Sequence, residues 1–88
     1  MYVVDFSKNA KKDLKKLSIT PYYEKLKKII GELKVHPETG LGNPEQLKHD
    51  LAGYWSRELT KKDRIVYRIE EDKGIVKVNK LLGHYFDK

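Results

Sequence analysis

Apolar residues recur along this chain first at helical spacing and then at strand spacing. After a short opening strand over residues 2–6, Ala10, Leu14 and Leu17 fall on one helical face, and Ser7 stands where an N-cap is needed. The opposite face is Lys8, Lys11, Lys12, Lys15 and Lys16. A second helix is marked by Thr20 as cap and Pro21 in the first turn. Its apolar stripe is Tyr22, Leu26, Ile29, Ile30 and Leu33, and His36-Pro37 stops it.

Residues 37–44 hold two prolines and two glycines and read as a loop. Beyond it the period shortens. Residues 54–59 read as a strand, 60–63 as a turn, and 64–69 as a strand with Ile65, Tyr67 and Ile69 alternating. A second turn over 71–74 leads into a last strand over 75–85. Tight turns between consecutive strands dictate an antiparallel meander, so the expected fold is α+β in the order β-α-α-β-β-β. Two helices should pack on one face of a mainly antiparallel sheet, with the other face left to a partner. No repeat is present, and residues 1–88 are expected to form one domain.

Composition narrows the partner. Nineteen Lys and Arg against thirteen Asp and Glu give a formal charge of +6, which favours an anionic partner. With no cysteine, hydrophobic packing must stabilise the fold without disulfides or thiolate-bound metal. No apolar run is long enough to span a bilayer, and the N-terminus lacks a leader pattern, so no membrane partner and a cytoplasmic location are expected.

His36, His49 and His84 show no metal-ligand spacing, and Gly40 and Gly42 follow a helix rather than precede one. Neither a metal nor a cofactor is expected. The polar residues that stand out are Glu45, Lys48, His49, Arg57, Arg64, His84 and Tyr85. RNA cleavage without a metal needs a base for the 2′-hydroxyl, cations for the phosphorane and an acid for the leaving 5′-oxygen. Glu45 supplies the first, Arg64 with Lys48 or Arg57 the second, and His84 the third. Tyr85 and Trp55 can stack on a base. Each residue also has a plainer reading: Glu45 as a loop carboxylate, Arg64 as part of a solvated strand face, Trp55 as core, His49 as a local cap.

The run Asn43-Pro44-Glu45-Gln46-Leu47-Lys48-His49, continuing through Gly53-Tyr54-Trp55-Ser56-Arg57 to Arg64-Ile65-Val66-Tyr67 and His84-Tyr85, resembles the YoeB/Txe family of the RelE superfamily. That resemblance implies a RelE-like fold and a ribosome-dependent endoribonuclease cutting messenger RNA in the 30S A site, an mRNA interferase that arrests translation. It assigns Glu45 as base, Arg64 as transition-state stabiliser, and His84 and Tyr85 as acid and positioning residue. Lys48 and Arg57 become supporting phosphate contacts, and His49 and Trp55 stand beside them as candidate RNA contacts. It also implies a YefM/Axe-like antitoxin, whose acidic segment folds over the toxin, and leaves room for a homodimer. Glu58 departs from the family pattern, which has a basic residue there, and Phe86-Asp87-Lys88 extends past its usual end. The rival readings are a non-catalytic RNA- or ribosome-binding module and a DNA-binding member of an operon pair.

Overall fold

The computed structural model describes residues 1–83. The elements are β1 (Val3–Phe6), α1 (Lys8–Leu17), α2 (Tyr23–Leu33), β2 (Glu45–Gln46), β3 (Tyr54–Glu58), β4 (Arg64–Glu70) and β5 (Ile75–Lys80), with single 3-10 turns at His49–Leu51 and Glu71–Lys73. The helices begin for different reasons. Ser7 Oγ accepts from the Ala10 amide at 3.0 Å, satisfying a donor the first helical turn leaves open. Thr20 does not cap α2: its hydroxyl donates to the Leu17 carbonyl at 2.7 Å, closing the end of α1 instead. The N-cap position of α2 is Tyr22, which makes no side-chain cap and stays exposed, and Tyr23 packs against the core instead.

The strand order is β1-β5-β4-β3-β2. Strands β3, β4 and β5 form the expected antiparallel meander, while β1 joins the β5 edge in parallel. Sequence periodicity missed β2, because two exposed polar residues carry no pattern; they form a strand by pairing with Ser56 and Trp55 of β3. The last strand is shorter than expected and ends at Lys80. The reason is a change of acceptor. The Leu81 and Leu82 amides donate to the Asp13 carboxylate at 2.9 and 3.3 Å, and the Gly83 amide donates to Asp63 Oδ1 at 2.7 Å. Two carboxylates therefore take up the amides of residues 81–83, while the Gly83 carbonyl still accepts from the Arg64 amide of β4.

Alternation along the strands sends Ile65 and Tyr67 of β4 and Val76 and Val78 of β5 against Ala10, Leu17, Leu26, Ile29 and Leu33 of the helices, all buried. Burial of each large aliphatic here contributes about 1.5–3 kcal/mol. The intervening positions form the sheet's second face, which carries the candidate site. No helix among the described residues is long and apolar enough to cross a membrane.

Because Asp13 receives two amide donors in a half-buried setting, Asp13→Ala is expected to destabilise the fold by about 1.5–3 kcal/mol, the range for hydrogen bonds to a charged group. A urea titration should show a lower midpoint with the slope preserved. An unchanged midpoint would mean that the carboxylate does not hold this segment in solution.

Candidate active site on the outer sheet face

Register defines the face turned away from the helices. One row across it runs Glu45, Ser56, Val66 and Lys80, with Ser56 and Val66 buried; the next holds Glu58 and Arg64; on the other side lie Tyr54, Arg68 and Lys77. Glu45 and Arg64 are thus two strands and two residues apart. Ordinary strand spacing puts their Cα atoms about 12 Å from each other, a gap that two long side chains and one phosphodiester fill.

The pairing of β2 also shapes a cavity of about 350 Å³ lined by residues 45–51, so Glu45, Lys48 and His49 share one recess. Leu47 anchors it: the side chain is buried, and its amide donates to the Tyr54 carbonyl at 2.9 Å. His49 adopts φ 58°, a left-handed conformation uncommon for a residue with a side chain, which turns the chain sharply at the cavity wall. Glu45 is exposed, and its carboxylate has no partner among the described residues.

Arg64 is held differently. One guanidinium nitrogen donates to the Thr60 carbonyl at 3.0 Å, and the other lies 3.5 Å from Glu58. Its backbone amide donates to the Gly83 carbonyl at 2.9 Å. Glu58 is fixed in turn from the loop before β2. Its amide donates to the Gly42 carbonyl at 2.7 Å, and the Asn43 side chain donates to its carboxylate at 3.3 Å. Gly42 has φ 82°, and a Cβ there would lie 2.6 Å from the Glu58 carbonyl oxygen, so only glycine permits this close approach.

Two expectations are corrected. Arg57 is no RNA contact: it is wholly buried on the helix side of β3. Nε donates to the Tyr67 hydroxyl at 3.2 Å, one terminal nitrogen to Glu32 at 2.6 Å and the Leu41 carbonyl at 3.3 Å, and the other to the His36 and Thr39 carbonyls at 3.0 and 2.8 Å. With every guanidinium donor satisfied inside the fold, none remains for a phosphate. The Tyr67 hydroxyl donates onward to the Pro37 carbonyl at 2.7 Å, so the network ties the long loop to the sheet. Trp55 likewise packs against the core; the aromatic residue on the exposed face is its neighbour Tyr54. His84 and Tyr85 lie outside the described residues.

Burial opposes ionisation of Glu32, but the Leu41 amide and the Arg57 guanidinium outweigh it and hold the carboxyl below its ordinary value of 4.5. A depressed folded value means stability that is full above 4.5 and lost as pH falls through the folded value. The stability advantage of wild type over Glu32→Gln is therefore expected to shrink below about pH 4.5, measured as urea midpoints across a pH series. A constant gap across that window would rule out the linkage.

Residues 5–85 match the family model described as the YoeB-like toxin of bacterial type II toxin-antitoxin systems. The chain is 40% identical over 53 residues to toxin YoeB of Escherichia coli O6:H1, a match covering 60% of this chain and 63% of that protein's length. Among solved structures, a YoeB/ParE toxin from Agrobacterium tumefaciens superposes with a TM-score of 0.86 at 34% identity, covering 97% of this chain and all of that one. A YoeB-YefM complex from Staphylococcus aureus gives 0.81 at 26% identity, covering 97% and 99%.

Proposed function

The chain belongs to the YoeB-like toxins of bacterial type II toxin-antitoxin systems, and from that premise we propose that it is an endoribonuclease that cuts messenger RNA in the ribosomal A site. The observation that carries this reading is the placement, on one sheet face, of an exposed carboxylate with no partner among the described residues, Glu45, and a tethered guanidinium, Arg64, one phosphodiester's reach away.

In this mechanism Glu45 takes the proton of the 2′-hydroxyl, and that oxygen attacks the adjacent phosphorus. Arg64 stabilises the charge that builds on the phosphate oxygens, and Lys48, on the cavity wall beside Glu45, adds a second cation. His84 gives its proton to the departing 5′-oxygen, and Tyr85 positions the nucleotide. The products are a 2′,3′-cyclic phosphate and a 5′-hydroxyl, with base, acid and cations all drawn from side chains. Gly83 accepts from the Arg64 backbone amide through its carbonyl and donates to the Asp63 carboxylate through its amide.

The proposed partner is an acidic antitoxin of the kind that accompanies the Staphylococcus aureus toxin in its YoeB-YefM complex. Five exposed lysines on α1 offer such a segment a basic face.

Primer extension on a translated message, with end-group analysis of the fragments, tests the reading. Discrete cuts at A-site codons bearing 2′,3′-cyclic phosphate ends are expected. Ends carrying a 3′-hydroxyl would overturn the Glu45 mechanism, and inhibition without cuts would leave a non-catalytic ribosome-binding module as the better account.

A further inference from the structure

We propose that Tyr54 and Arg68 form a nucleotide-binding subsite for single-stranded RNA beside the Glu45 row, with a base stacked on their planes and a neighbouring phosphate on the guanidinium edge. This rests on the reading of Glu45 and Arg64 as an RNA-cleaving site.

The inference comes from how the cations of the exposed face are committed. Arg64 leans on Glu58 at 3.5 Å and Lys77 on Glu70 at 3.3 Å, so each shares its charge with a carboxylate. Arg68 is exposed and has no carboxylate partner among the described residues. Its guanidinium carbon instead lies 5.6 Å from the centroid of the Tyr54 ring, its register partner on β3. A cation over a ring keeps its N–H edge free, because the attraction comes from the face of the π-system and consumes no donor. The planes of Tyr and Arg are the surfaces on which unstacked RNA bases settle, and Arg adds bidentate contact to phosphate.

Position supports the assignment. Tyr54 stands two residues from Ser56, the register partner of Glu45, on the same face and roughly 7 Å along the strand. A strand of RNA with its scissile phosphate between Glu45 and Arg64 would pass over the buried Ser56 and Val66 to bring a flanking nucleotide to Tyr54. Trp55 lies on the opposite face, where its ring packs against the core.

The test is fluorescence anisotropy of the full chain with a short, fully 2′-O-methylated RNA oligonucleotide, which lacks the 2′-hydroxyl nucleophile and cannot be cut. Tyr54→Ala should weaken binding roughly five- to 150-fold and Tyr54→Phe hardly at all, the range for losing one stacked base. Arg68→Ala, an exposed change with no fold to disturb, should weaken binding and make log Kd about 0.7 less steep in log salt, the release expected of one phosphate contact on a single strand. In cleavage on programmed ribosomes, the loss in both alanine variants should fall on KM, whereas Glu45→Gln should lower kcat and still bind the probe.

Wild-type affinity and salt slope in Arg68→Ala would overturn the subsite even if Glu45→Gln proved inactive. Failure of wild type to bind the probe at low salt would overturn it too. Full cleavage by Glu45→Gln would instead remove the reading on which the subsite rests. A variant that lost affinity for a poly-glutamate peptide but not for the RNA probe would show this face to serve an acidic protein partner, against the proposal.

Discussion

Replacing Glu45 by Gln is expected to slow cleavage of ribosome-bound message by about 10²- to 10⁴-fold, the contribution of a positioned general base. The substitution keeps the size and polarity of the side chain and removes only its ability to take a proton. Because Glu45 is exposed and its carboxylate has no partner among the described residues, folding should be nearly untouched, with Tm held within about 4 °C, as for a surface change. The loss should therefore lie in kcat, with ribosome binding intact. Single-turnover cleavage on programmed ribosomes separates these quantities, and a variant that cuts at the wild-type rate would exclude Glu45 as the base.

The second large effect is on stability. Arg57→Ala removes a wholly buried cation and takes one donor each from Glu32, the Tyr67 hydroxyl and the Leu41, His36 and Thr39 carbonyls. Glu32 is partly exposed, but losing the buried cation and its five hydrogen bonds together should still cost about 3–5 kcal/mol, which in a domain this small lowers Tm by roughly 12–40 °C. Arg57→Lys should recover little, because a single ammonium cannot reach acceptors spread along both edges of the guanidinium fork. Calorimetry of the two variants decides the matter. If Arg57→Ala melted like wild type but lost affinity for RNA, the arginine would be a phosphate ligand and the buried network would not describe the protein in solution.

The two arginines of β3 and β4 show how far residue type alone can be read. Both stand in strands beside chemistry-bearing residues, and both looked like phosphate contacts. Their fates diverge because β3 and β4 expose opposite faces at these positions: Arg57 pairs with Ile65, a core residue, and Arg64 pairs with Glu58 on the outer face. The same parity separates Trp55 from Tyr54. Glu58, the departure from the family pattern, is the carboxylate that now leans on Arg64.

The pattern of the chain itself determined both helices, the β3-β4-β5 meander and the assignment to a toxin family. Helical and strand periods arise from local side-chain spacing, and tight turns force neighbouring strands together. The family motif likewise lies in contiguous residues. Only the tertiary structure decided that two polar residues at 45–46 become a strand, that β1 adds in parallel at the β5 edge, and that Asp13 and Asp63 take up the amides of residues 81–83 after Lys80. Those outcomes depend on partners far away in sequence, and a hydrogen bond between distant residues leaves no period behind it. The burial of Arg57 has the same origin, since its acceptors come from α2 and the long loop, which meet β3 only when the chain has folded.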